Sequence, residues 1–193
     1  MSAGASADSV VTAPAASAVR LVLERCRAAG ARVVAIDGPS GSGKSTLADA
    51  LVRAWPGPDP ELVRLDDVYP GWNGLEPAGA ALAHELVGRH ARGGVGHWRR
   101  WDWADDRVGA IERIRPGGAL IVEGCGAFAA TAPVDAVRVW VEASPRVRKR
   151  RALERDAGAF DPYWDLWERQ WRRYVARAAP ATRADVRVRV ADA

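Results

Sequence analysis

The 193-residue chain predicts a three-layer α/β/α domain with a mostly parallel five-stranded sheet and a helical lid. Three observations carry this. Apolar runs of strand length alternate with segments of helical period, the βα repeat that lays helices on both faces of a parallel sheet. One run, Ala119-Leu-Ile-Val-Glu123, is almost wholly apolar, as a strand buried on both faces must be. A glycine-rich loop, Gly38-Pro-Ser-Gly-Ser-Gly-Lys44-Ser45-Thr46, joins a strand to a helix.

Residues 1–16 are rich in Ala and Ser, with neither a basic n-region nor an apolar core, and are expected to be a disordered tail. The domain is expected to fill 17–193. Ser17–Ala29 has helical period through Val19, Val22, Leu23 and Cys26, and Gly30 stops it. Arg32–Asp37 reads as the first strand. Thr46–Trp55 reads as the helix after the loop, with Leu47, Leu51 and Val52 facing inward and the Pro56–Pro60 breaker closing it. Glu61–Leu65 is a second strand and Glu76–Arg92 a helix packed through Ala80, Leu82, Leu86 and Val87. Val95–Trp103 is extended and rich in Arg and Trp. Asp105–Arg115 is expected to be a helix, stopped by Pro116-Gly117-Gly118. Ala136–Val141 and Val186–Val190 read as strands, Ser144–Arg155 as a basic helix, and Asp161–Arg177 as a Trp-rich helix. The lid is placed at about 144–178.

The loop fits G-x-x-x-x-G-K-[ST], the phosphate-binding P-loop (Walker A). Gly38, Gly41 and Gly43 lack Cβ atoms, so the backbone can wrap closely around phosphate oxygens. Backbone N–H groups of Ser40, Ser42 and their neighbours then form an anion nest, reinforced by the positive end of the following helix. Lys44 is expected to reach the β- and γ-phosphates of ATP. Ser45 is expected to join the coordination of Mg²⁺, with Thr46 closing the nucleotide-binding stretch.

Composition narrows the field. No apolar run approaches the ~18–20 residues that span a bilayer. Two cysteines, Cys26 and Cys125, do not make a disulfide framework, so a reducing cytoplasm is the expected location. The net charge of +4 comes from arginine, and much of it lies in Arg146–Arg155. A local cluster facing a polyphosphate accounts for that as well as a nucleic-acid surface would, and the sequence has no Arg-aromatic platform motif of the RNA-binding modules, so a nucleic-acid partner is not expected.

Two acidic positions stand at strand ends, where open α/β sheets place their ligands. Glu123 is the candidate magnesium ligand. Asp66 is the candidate base for a proton from an attacking hydroxyl, with Asp67 as fallback. At this point the sequence resembles the uridine kinases, within the uridine kinase and phosphoribulokinase-like group of P-loop kinases. The matching pieces are the glycine loop, Asp66-Asp-Val-Tyr69, Trp101-Asp102-Trp103, Ile121-Val-Glu123-Gly124 and the basic stretch ending at Arg155-Asp156. They span about residues 32–160. The resemblance implies that Asp66 is the catalytic carboxylate, Tyr69 its companion and Glu123 a magnesium ligand, with Trp101, Asp102 and Trp103 in a nucleoside pocket. The chain departs from that pattern in having tryptophans where the family has Tyr and Phe. It also has no His shortly after them, and Ala157-Gly-Ala-Phe160 stands where the family's lid continues.

Arg146, Arg148, Lys149, Arg150, Arg151 and Arg155 form the candidate lid, with Arg151 and Arg155 four residues apart and able to act together. Trp164, Trp167, Trp171 and Tyr174 make one helical stripe, read as core. His84, His90 and His97 have no metal-binding spacing and read as surface or boundary residues. Trp72 and Asn73 are further acceptor candidates. The expected activity is transfer of the ATP γ-phosphoryl group to a hydroxyl of a small, nucleoside-like acceptor. A nucleoside monophosphate kinase is the alternative, because Ile36-Asp-Gly-Pro-Ser-Gly also resembles cytidylate kinases. A non-kinase P-loop regulator is the other.

Overall fold

The computed structural model describes residues 10–12 and 15–191. In chain order, β1 (Val10–Thr12) leads to α1 (Ala15–Ala29), β2 (Val33–Asp37), α2 (Lys44–Arg53) and β3 (Glu61–Arg64). Then come α3 (Leu75–Leu82), a π-helical turn over Ala83–Val87 and α4 (Gly88–Ala91). After these run β4 (Gly96–Asp102), β5 (Arg107–Ile114), β6 (Leu120–Glu123) and α5 (Ala127–Ala130). The chain ends with β7 (Val137–Glu142), α6 (Pro145–Arg155), α7 (Trp164–Ala178) and β8 (Val186–Arg189).

The main sheet has the order β1-β8-β7-β2-β6-β3, and every pairing in it is parallel. All five strands expected in the sheet are there. The sixth, β1, comes from the stretch expected to be a disordered tail, and it pairs with the edge of β8. The rest of that tail, 1–9 and 13–14, lies outside the described residues.

Alternation along β2 sends its residues to two cores. Val33 and Ala35 join a cluster under α3, α5 and α7, while Val34 and Ile36 pack with Val19, Leu47 and Leu51 of α1 and α2. Both faces of β2 and β6 are therefore buried, which is why these strands carry apolar side chains in succession. Each Ile or Leu so buried contributes about 1.5–3 kcal/mol. Among the described residues no helix is long and apolar enough to cross a membrane.

One expected element is different. Residues 107–114 form not a helix but β5, antiparallel to β4 in a separate two-stranded ribbon. Val108 and Ile111 stand three apart, which looks helical. In the ribbon Val108 pairs with Trp101 and Ile111 with Arg99, so two residues of β5 face the single Arg100. That bulge puts Val108 and Ile111 on one face of a strand despite their spacing. Within the helical stretch of 75–91, Ala80 is exposed, whereas Leu82, Leu86 and Val87 are buried as expected.

Candidate active site

The strand order places the C-terminal ends of β2, β6 and β3 side by side, and each delivers part of the site. β2 ends in Asp37 and opens the phosphate loop. Gly38 is there because a Cβ would fall 2.0 Å from the Val141 carbonyl oxygen. At Gly41, where φ is 75°, a Cβ would lie 1.9 Å from the carbonyl oxygen of Arg148. The loop is thus held between β7 and α6 at a distance only glycine allows.

Lys44, in the first turn of α2, is 7% exposed and its Nζ donates to the Pro39 carbonyl at 2.9 Å. The side chain curls along the inside of the loop. Burial alone favours its neutral form, but Cys125, Glu123, Asp66 and Asp37 around it outweigh that and hold the ammonium above its ordinary range. Ser45 Oγ donates to Glu123 Oε2 at 3.3 Å, so hydroxyl and carboxylate converge beside Lys44. Burial pushes the Glu123 carboxyl up to about 7, against the pull of Lys44 and Arg64. Ser42 Oγ is buried in the loop with no hydrogen-bond partner. Thr46 is exposed.

These features fit a phosphate with its metal ion. An orphaned hydroxyl, a buried ammonium and the free first-turn amides of α2 offer donors to phosphate oxygens. Ser45 and Glu123 offer two oxygen ligands, and Mg²⁺ takes one or two protein ligands beside phosphates and waters. Among the described residues no cluster of three His, Cys, Asp or Glu could bind a metal alone.

Asp66 and Asp67 lie on a 3₁₀ turn after β3 and diverge. The Asp66 carboxylate is 3.5 Å from Arg155 at the end of α6, and its charge reaches Lys44, Glu123 and Cys125. Asp67 turns to Arg100 of the ribbon at 3.1 Å. Tyr69 is buried and its hydroxyl donates to the Cys125 carbonyl at 2.9 Å, so it braces the turn from inside. Beside this turn stands an aromatic wall. The Trp72 ring stacks on Tyr163 (4.5 Å between centroids) and Phe160 (5.1 Å) and meets Trp103 at 4.8 Å. Trp103 Nε1 donates to the Asp66 carbonyl at 2.8 Å. Trp101 is partly buried, with its ring near Gly71. Asp102 serves its own turn instead, its Oδ1 accepting from the amides of Ala104 and Asp105. Asn73 is exposed.

The arginines of α6 divide. Arg155 faces Asp66, while Arg151 donates to the Ala191 carbonyl at 3.5 Å, so among the described residues the two do not act on one point. Arg148 forms two hydrogen bonds to Glu168 of α7 (3.0 and 2.7 Å), and Lys149 sits over the Trp164 ring. Helical spacing could not separate these roles, because the partners lie on the Asp66 turn, on α7 and after β8, all distant in sequence. The stripe Trp164, Trp167, Trp171 and Tyr174 is core, each residue 5–7% exposed. His84 and His97 contact Glu85, but His90 is buried, its Nε2 3.0 Å from the Gly118 carbonyl.

Three site residues escaped the sequence reading. Asp37 is fully buried and accepts four hydrogen bonds, from the amides of Gly38, Gly126 and Phe128 and from the Tyr174 hydroxyl. Its place at a strand end directly before the glycine loop was the available signal. Cys125 is no mere packing thiol, since its Sγ lies 3.3 Å from the Gly38 carbonyl and 3.8 Å from Lys44 Nζ. Arg64, paired across the sheet with Glu123, joins that carboxylate (3.7 Å) to Asp49 of α2 (2.5 Å).

No model of a protein family and no curated protein matches the chain. Solved structures do. A possible uridine kinase from Bacillus stearothermophilus superimposes with a TM-score of 0.62 at 20% identity, over 90% of this chain and 98% of that one. A proposed fructose transport system kinase from Silicibacter sp. TM1040 gives 0.52 at 22%, over 91% and 98%. At such identities the likeness speaks for architecture, and the chain shares the three-layer α/β fold of these two structures.

Proposed function

We propose that the protein is an ATP- and Mg²⁺-dependent phosphotransferase that moves the γ-phosphoryl group to a hydroxyl of a small, nucleoside-like acceptor. The observation that carries the reading is one convergence. Lys44 and Ser45 from α2 and Glu123 from β6 meet at the phosphate loop, with Asp66 of the neighbouring strand end opposite and paired to Arg155. That is the part list of phosphoryl transfer: a charged cradle, metal ligands, a carboxylate for the acceptor proton and a lid cation.

In this reading the loop amides and Lys44 orient the phosphates. Mg²⁺, held by Ser45 and Glu123, would neutralise charge on their oxygens. Asp66 accepts the proton of the acceptor hydroxyl, and Arg155 closes over the transferred group. Trp72, Trp103 and Tyr163 form the acceptor wall, with Trp101 and Tyr69 supporting it from behind. The exposed faces of Trp103 and Tyr163 suit a ring-bearing acceptor, and base–aromatic stacking is worth about 1–3 kcal/mol. A cytoplasmic location goes with the two free, buried thiols.

The test is a panel of nucleosides, sugars and nucleoside monophosphates with ATP and Mg²⁺, with ADP release as readout. A nucleoside that stimulates release supports the reading, and stimulation by monophosphates alone would favour a cytidylate-type kinase. Nucleotide binding with no acceptor effect would favour a regulator. Glu123→Gln keeps the shape and removes the charge. Its defect is expected as a raised Mg²⁺ midpoint, by about tenfold or more, partly rescued by excess metal. Normal Mg²⁺ dependence in that variant would take Glu123 out of the metal site.

A further inference from the structure

We infer that Tyr174 of α7 is a positioning residue for the phosphate loop, acting through the buried carboxylate of Asp37. The inference builds on the nucleotide-binding reading above and adds a residue that the P-loop motif does not contain.

Asp37 ends β2 with no exposed surface. Its Oδ1 accepts from the amides of Gly38 (2.7 Å) and Gly126 (3.0 Å). Its Oδ2 accepts from the amide of Phe128 (3.0 Å) and the hydroxyl of Tyr174 (2.7 Å). A carboxylate has about four acceptor sites, and all are used here by donors, the arrangement that sustains a buried negative charge. Burial holds the Asp37 carboxyl above its ordinary range, against the pull of the four donors. Tyr174 keeps its proton, because burial and the Asp37 charge both push its ionisation upward.

The partners matter more than their number. Gly38 opens the phosphate loop, and Gly126 and Phe128 lie three and five residues after Glu123. One carboxylate therefore fixes the two backbone segments that carry Lys44 and the metal-site carboxylate. Among the described residues, the side chain that donates to it, Tyr174, comes from α7. The same helix supplies Glu168, which clasps Arg148, and the Arg148 carbonyl abuts Gly41. So α7 grips the loop near two of its three glycines, at Gly38 through Tyr174 and Asp37 and at Gly41 through Glu168 and Arg148.

Packing alone does not require the hydroxyl. The Tyr174 ring lies 5.6 Å from Trp171 within an aromatic core that phenylalanine would fill equally well. Tyr174→Phe therefore removes the hydrogen bond and keeps the ring. Without it Asp37 Oδ2 has one donor fewer, and the two segments it ties together gain freedom.

The test compares wild type, Tyr174→Phe and Val186→Ala, a core truncation in the other cluster, away from both loops. Hydrogen exchange on the nucleotide-free protein should speed up about tenfold at residues 38–45 and 124–128 in Tyr174→Phe only. The affinity for a fluorescent ATP analogue should fall about five- to tenfold, again only in that variant. In an Asp37→Asn background the added Tyr174→Phe change should have almost no effect on either readout. Equal exchange in Tyr174→Phe and Val186→Ala at these segments would overturn the inference and leave Tyr174 as ordinary core. A wild-type protein that does not bind the analogue but shows the exchange pattern would sink the nucleotide reading and leave the positioning role supported.

Discussion

Lys44→Ala should lower ATP turnover by at least about two orders of magnitude in a protein that still folds. One preorganised electrostatic contact to charge that develops in a transition state is worth about 10²–10³ in rate. Lys44 is placed to be such a contact. Its ammonium is buried, tied at 2.9 Å to the Pro39 carbonyl, and held charged by the acidic groups around it. It needs no rearrangement of solvent when phosphate arrives. The substitution also empties the volume of a buried stem, so Lys44→Met, which fills that volume without the charge, is the companion variant. Both should keep the wild-type circular dichroism spectrum and lose turnover together. Undiminished turnover in folded Lys44→Met would remove the loop from the chemistry.

The glycine loop was legible because its chemistry is local. Strand, loop and helix are contiguous, and the three glycines, the lysine and the serine need only each other and a phosphate. The five sheet strands announced themselves through apolar runs, and the Trp stripe of α7 through its period. What was not legible depends on contacts distant in sequence. Asp37 and Tyr174 are 137 residues apart, and nothing around either names the other. Arg151 and Arg155 look equivalent on a helical wheel, and it is Ala191 after β8 and the Asp66 turn that tell them apart. The strand at 107–114 was hidden by a bulge that gives a strand the spacing of a helix. Asp102 was expected in a pocket from the aromatic-Asp-aromatic resemblance, and its carboxylate accepts from the amides of its own turn. It is Trp103, one residue on, that reaches the Asp66 turn.

Asp66→Asn should slow the chemical step by about 10²–10⁴, the usual worth of a positioned general base, while ATP affinity stays within a few-fold. The structure sharpens the choice between the two adjacent carboxylates. Asp67 is paired with Arg100 of the ribbon at 3.1 Å. Asp66 is half exposed and meets Arg155, so it can receive an acceptor hydroxyl between the turn and the lid. Asparagine preserves the shape and the backbone carbonyl that Trp103 holds, so the acceptor wall should stay in place. The defect should therefore appear in single-turnover rates with saturating ATP and acceptor, and the acceptor KM should change little. Asp67→Asn should alter those rates less than about threefold, as expected for the loss of one exposed ion pair. If Asp67→Asn shows the large loss and Asp66→Asn the small one, the base is Asp67 and the Arg155 contact is only a surface ion pair. If Asp66→Asn instead abolishes ATP binding and leaves turnover of the bound complex intact, Asp66 belongs to the nucleotide site and not to the acceptor.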